Sequence, residues 1–167
     1  VIGVELSSIA IEAFLTENNL TYNKFNQRSF TVYQAKFLTF ICGDFFQLGK
    51  EDIGDIDWIY DRASLIALDG NIRVKYANKL IQLSSAMSRV FLISLSYTHE
   101  TSPNRPPYSV TSAEINVLFS KYFQVNILSQ YENLDIMPHL VQRGLVDLRD
   151  DVYLLNRAKD SVIKQSL

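Results

Sequence analysis

The stretch Val1-Ile2-Gly3-Val4-Glu5-Leu6-Ser7-Ser8 decides the fold class. Its first four residues are apolar or small, the pattern of a strand covered on both faces. An acid follows at once, then Ser7 and Ser8, whose short side-chain oxygens suit the unpaired N–H groups that open a helix. Residues 9–17 carry the helix, and Asn18-Asn19 ends it. Strand, acid, helix is the repeating unit of an open α/β sheet.

Outward from there, residues 21–25 and 30–34 alternate polar with apolar or aromatic side chains around Asn26-Gln27-Arg28-Ser29, which predicts a half-exposed hairpin at a sheet edge. A second apolar strand is expected over residues 37–42, closed by Gly43-Asp44 and followed by Phe45-Phe46 and the acidic turn Glu51-Asp52. A third is expected over 57–60, closed by Asp61-Arg62, with helical spacing over 63–68 and 71–84. In the latter, Ile72, Tyr76, Leu80 and Leu83 share a face. The run Val90-Phe91-Leu92-Ile93-Ser94-Leu95, within residues 89–97, predicts a central strand. Pro103, Pro106 and Pro107 make residues 99–109 an irregular loop. Thr111 or Ser112 caps a helix over 113–122, with Glu114 near its positive end. Strands over 123–131 and 152–156 follow, separated by a segment that Pro138 and Gly144 bracket. The sum is a doubly wound, mostly parallel sheet with a final antiparallel strand pair.

A chain of 167 residues is one domain in size, so a single domain over 1–167 is expected. Because it begins inside a strand with no polar lead-in, that domain is expected to be incomplete on its N-terminal side. Hydrophobic residues are 47% and charged residues 20%, which excludes a disordered or low-complexity chain. A formal net charge of −2 provides no field to draw in a polyphosphate, so nucleic acid is excluded as a partner. No apolar run reaches the length of a membrane span, and a cytoplasmic location is expected. Cys42 is read as a small buried thiol. One cysteine with His99 and His139 makes no metal set.

Glu5, Asp44 and Asp61 each stand where a strand ends. Acids in such places cap the helices that follow. They can also accept the ribose hydroxyls and the exocyclic amine of an adenosine bound beyond the strand ends. Periodicity does not separate a methyl-donor site from a dinucleotide site.

The blocks Gly3-Val4-Glu5-Leu6-Ser7, Cys42-Gly43-Asp44-Phe45-Phe46, Ile59-Tyr60-Asp61-Arg62-Ala63 with Leu65-Ile66-Ala67-Leu68, Arg73, Tyr76-Ala77, and Pro106-Pro107-Tyr108-Ser109-Val110 with Glu114 and Leu118-Phe119 add a family likeness. In that order, from Val1 to about Leu155, they resemble the thiopurine S-methyltransferase family in its bacterial form. The resemblance implies a class I, Rossmann-like methyltransferase that uses S-adenosylmethionine. Its acceptor would be the sulfur of small aromatic or heterocyclic thiols, with selenium or tellurium species as further acceptors. A monomer is expected. By the same resemblance, Glu5 would hold the cofactor ribose, Asp44 and Phe45 would flank the adenine, and Arg62 would lie near cofactor and acceptor. The proline loop, residues 102–110 with Pro107 and Tyr108, would cover the acceptor, and His139 stands where the family carries an arginine facing it. Methyl transfer is an in-line displacement on an already activated carbon, so alignment and exclusion of water suffice. Asp61 and Arg62 are the catalytic candidates, Asp61 orienting Arg62 and Arg62 favouring an anionic nucleophile.

Two further features depart from the family. Its upstream part, with tryptophans over the cofactor and a first strand ending in a glycine-rich loop, is not among these residues. The expectation is a sheet without its first, central strand, two exposed strand edges, and a fragment that is inactive by itself. Asn104-Arg105 also stands where the family has a glycine before the prolines. The alternative function is a non-catalytic interaction or ligand-binding domain that retains the fold. A nicotinamide-dependent enzyme is a third reading, one that leaves Asp61-Arg62 and the proline loop without a role.

Overall fold

The computed structural model describes residues 1–98, 105–132 and 138–158, with the backbone alone at 138 and 139. The chain forms two compact units, Val1–Gly54 and Asp55–Leu167.

In the first unit, β1 (Ile2–Glu5) runs into α1 (Ser8–Glu17), which Ser7 caps by accepting the Ala10 N–H at 3.2 Å. β2 (Asn23–Gln27) and β3 (Phe30–Gln34) form the expected hairpin, turned by Arg28 at φ 55°. β4 (Thr39–Cys42) pairs antiparallel with β3 and parallel with β1, in the order β1-β4-β3-β2. Ile11 and Leu15 of α1 bury against Tyr33, with Ala35, Phe40 and Cys42 around them. Glu12 pins the helix to the hairpin, accepting from Lys24 Nζ at 2.8 Å and Tyr33 Oη at 3.0 Å. Beyond β4 the Gly43 N–H donates to Glu5 O at 3.0 Å, and a Cβ at Gly43 would lie 2.5 Å from the Phe30 ring. Glycine is therefore dictated here by a neighbouring side chain. A single 3-10 turn (Phe45–Gln47) and α2 (Lys50–Ile53) complete the unit.

The second unit contains β5 (Trp58–Asp61), α3 (Ser64–Ala67), α4 (Gly70–Leu83), β6 (Arg89–Thr98), α5 (Ser112–Phe119), β7 (Phe123–Glu132), α6 (Pro138–Val141) and β8 (Val146–Arg157). The order is β5-β6-β8-β7, with β5 and β6 parallel and the other pairs antiparallel. β6 has a strand on each side, the central position its sequence predicts. The core between strands and helices holds Leu65, Leu80, Val90, Leu92, Ile115, Phe119, Phe123 and Leu155.

The pairings differ from a mostly parallel sheet. Two are parallel and four antiparallel, because the β2–β3 hairpin and the return strand β8 each add antiparallel partners. Among the described residues β1 pairs only with β4, and β5 only with β6. β1 is not covered on both faces, since Ile2 is exposed and Gly3, Val4 and Glu5 are only half-buried, and Cys42 is half-buried. On α4 the buried face includes Arg73 while Ile72 is exposed. β8 begins well before residue 152, since the polar run Arg149-Asp150-Asp151 is paired within the sheet. Asp151, wholly buried, accepts from Arg149 Nε at 2.8 Å and Gln130 Nε2 at 2.9 Å.

The Gly43→Ala variant tests the close pass of β4 over Phe30. The added methyl must displace a buried ring, so unfolding in denaturant is expected to show a loss of about 1–3 kcal/mol; an unchanged midpoint would count against the packing described.

Candidate functional site

Glu5 closes β1, and Asp44 stands two residues beyond the end of β4. The two strands run parallel with Glu5 opposite Cys42, so both acids leave the same edge of one sheet. Each also caps the turn after its own strand: Glu5 Oε1 accepts the Ser7 N–H at 2.8 Å and Asp44 Oδ1 the Phe46 N–H at 2.9 Å. A carboxylate carries about four lone-pair sites, so one capping bond orients it and leaves acceptors to spare. Glu5 is half-buried and Asp44 exposed, which makes both reachable from solvent. Phe45 lies beside Asp44, half-buried, its ring edge-on to Phe46 at 5.9 Å. The set offers two acceptors and an aromatic face at one sheet edge, which fits a nucleoside's hydroxyls, amine and base.

Asp61 behaves differently. It too caps, accepting the Ser64 N–H at 3.0 Å, but it is only 2% exposed and takes a second bond from Tyr76 Oη at 2.9 Å. Burial pushes its carboxyl above the ordinary range, against the bonds from Tyr76 and Ser64. Burial, then the neighbouring charge of Asp61, drives the Tyr76 hydroxyl far upward as well, so Tyr76 stays a donor. The expected orientation of Arg62 by Asp61 is not what these bonds provide. Successive residues leaving a strand face opposite ways, and the Asp61 carboxylate turns inward while Arg62 is exposed.

Pro107 and Tyr108 are half-buried in a segment fastened along its length. The Tyr108 N–H donates to Ile66 O at 2.7 Å and the Val110 N–H to Leu95 O at 2.9 Å. Tyr97 Oη donates to Pro107 O at 2.7 Å, while Ser109 Oγ accepts the Tyr97 N–H at 3.0 Å and donates to Tyr97 O at 3.1 Å. Burial raises the Tyr97 hydroxyl, which keeps it protonated for that bond. His99 and the first part of the proline loop lie outside the described residues. The His139 backbone is in α6, and its side chain lies outside them too.

Arg73 has a structural role that its sequence position does not reveal. Its Nε donates to Leu65 O at 3.1 Å and Nη2 to Leu68 O at 2.9 Å, while Nη1 pairs with Glu114. That single side chain fastens α3, just beyond Arg62, to α5, just beyond the proline segment. An arginine among Leu65, Tyr76 and Ala77 was the available signal, but its partner was not.

A family model described as Thiopurine S-methyltransferase (TPMT) matches residues 1–158. The chain is 41% identical over 155 residues to the thiopurine S-methyltransferase of Pseudomonas fluorescens SBW25, covering 93% of this chain and 71% of that protein. It is 34% identical over 155 residues to that of Nitrosospira multiformis, covering 93% and 70%. Among solved structures, a SAM-dependent methyltransferase from Anabaena variabilis aligns with a TM-score of 0.61 at 18% identity, over 95% of this chain and 68% of that one. The N-methyltransferase NodS from Bradyrhizobium japonicum, in complex with S-adenosyl-L-homocysteine, aligns with a TM-score of 0.54 at 7% identity, over 93% and 65%. These likenesses identify the class I methyltransferase fold.

The buried Asp61 predicts a pH dependence. An acid whose native pKa exceeds its unfolded value binds its proton more tightly when folded, so its contribution favours the native state at low pH and declines as pH rises from the ordinary carboxylate value through the native one. Asp61→Asn removes that titration. Denaturation midpoints measured from pH 3.5 to 7 should show the parent losing stability relative to the variant as pH increases, and parallel curves would disprove the assignment.

Proposed function

We propose, from the premise that this chain belongs to the thiopurine S-methyltransferase family, that its methyltransferase chemistry is directed at the sulfur of small aromatic or heterocyclic thiols, with selenium and tellurium species as further acceptors. The cofactor is S-adenosylmethionine, which supplies a methyl group on a positively charged sulfur when bound. The observation that carries the reading is the emergence of Glu5 and Asp44 from one edge of the parallel β1/β4 pair, with Phe45 beside them.

In this reading Glu5 accepts the ribose hydroxyls, Asp44 accepts the exocyclic amine and Phe45 covers the base. Each acid is already oriented by the N–H it caps. Arg62 contributes an exposed positive charge that lowers the energy of an anionic thiolate. Asp61 supports Arg62 indirectly, by fixing the start of α3 through Ser64 and Tyr76. Pro107, Tyr108 and His139 are assigned to the acceptor, whose sulfur attacks in line once water is excluded. A monomer acting on small molecules in the cytoplasm goes with this chemistry; among the described residues no helix is long and apolar enough to cross a membrane.

The second reading is a non-catalytic interaction or ligand-binding domain of the same fold, in which the capping bonds of Glu5, Asp44 and Asp61 are structural and no methyl group is transferred. Calorimetric titration of the full-length protein with S-adenosylhomocysteine, followed by a methylation assay on thiophenol, separates the two. Binding with turnover supports the enzyme, binding without turnover the second reading, and no binding removes the enzyme.

Glu5→Gln separates capping from nucleoside binding, because an amide oxygen still accepts the Ser7 N–H. Affinity for S-adenosylhomocysteine is expected to fall by about 1–3 kcal/mol, the worth of charge-assisted bonds, with the melting temperature nearly unchanged. Undiminished affinity would show that Glu5 does not hold the ribose.

A further inference from the structure

We propose that Arg143 is a positioning residue for the thiol acceptor, holding the proline segment against the turn after α6 and so setting how tightly the acceptor is bound. The proposal rests on the reading that Pro107 and Tyr108 border the acceptor. Arg143 sits in a turn closed by Gly144 at φ 79°, where the Arg143 N–H donates to Leu140 O at 3.0 Å and the Gly144 N–H to Val141 O at 2.9 Å. Its Nη1 donates to Pro106 O at 3.1 Å and its Nη2 to Arg105 O at 3.4 Å. Two donors of one rigid fork thus meet two consecutive carbonyls, a geometry that an ammonium group does not reproduce.

The carbonyls matter because prolines have no N–H. Pro106 and Pro107 can be held through the backbone only by donors supplied from elsewhere. Tyr97 supplies one to Pro107, and Arg143 supplies the other to Pro106. The remaining fastenings of this segment, at Tyr108, Ser109 and Val110, come from α3 and β6. Arg143 adds an attachment from a third element, the stretch of chain that also carries His139. Beneath that stretch Leu140, Leu145 and Leu148 pack with Leu95, Ile66 and Tyr97, which fixes the base from which the guanidinium reaches. Arg143 is itself only partly buried, and the two carbonyls it holds belong to exposed residues, so its loss is expected to move the segment more than the fold.

The test uses Arg143→Met and Arg143→Lys in the full-length protein with two readouts. Amide hydrogen exchange at Tyr108 and Val110 should accelerate about fivefold in the Met variant and less in the Lys variant, with the melting temperature unchanged. The KM for thiophenol should rise about fivefold or more, kcat should change less, and S-adenosylhomocysteine affinity should stay constant. Both changes together support the proposal. Unaltered exchange in Arg143→Met, or in Arg143→Lys should the first not fold, overturns the clasp. Faster exchange with an unaltered KM overturns the acceptor role. If the parent protein methylates no thiol while its segment still loosens on mutation, the acceptor reading itself has failed, and the acceptor role of Arg143 with it.

Discussion

Strands that hydrogen-bond in parallel must end at the same edge, and the chain beyond each end must turn back with its next N–H groups unpaired. That constraint organises the β1/β4 pair. Glu5 and Asp44 stand at one edge because their strands are in register, and both are acids that satisfy the N–H groups of the turns that follow. Capping and ligand binding are thereby compatible uses of one carboxylate. The cap fixes the direction of the group, and the remaining lone pairs stay available. At the end of β5 the same rule puts Asp61 in place, but burial changes the result. Tyr76 closes over it, and the acid becomes a support for α3 rather than a group that faces a ligand.

Buried charges elsewhere in the second unit are held by several bonds each. Arg73 spans two carbonyls and a carboxylate, and Asp151 takes bonds from Arg149 and Gln130 inside the sheet. Such groups add little net stability when complete, but removing one partner strands a charge away from water. Their consequence is placement. Arg73 fixes α3 relative to α5, so the chain after Arg62 and the chain after the proline segment are tied to a common point. In the first unit the ion pair of Glu12 with Lys24 sits at the surface, and together with the bond from the buried Tyr33 to Glu12 it orients α1 on the hairpin.

Local pattern located the elements where one face of a segment meets a core. β6 could be read because Val90, Leu92 and Leu95 are buried in a run too branched for a helix. α1 and α5 could be read because Ser7 and Thr111 cap them, and α4 because apolar residues recur along it at helical spacing; the Asp69 cap of α4 was visible only in the structure. Reading failed where a polar residue is buried by a distant partner. Ile72 looked like the inward position on α4, yet Arg73 takes it, since Leu65, Leu68 and Glu114 together neutralise and bond its guanidinium. β8 looked short because Arg149-Asp150-Asp151 interrupts its apolar run, and Gln130 on β7 is what allows the strand to continue.

The sequence by itself determined the kinds of element, their order, the acids at the strand ends and the family likeness, because capping, alternation and branching act between residues a few positions apart. Tertiary structure alone decided which acids remain open to solvent, which side chain fastens the proline segment and how the strands pair beyond the hairpin and the final antiparallel pair. Those outcomes depend on groups far apart in the chain, such as Tyr76 against Asp61, Glu114 against Arg73 and Arg143 against Pro106, whose meeting no local spacing encodes.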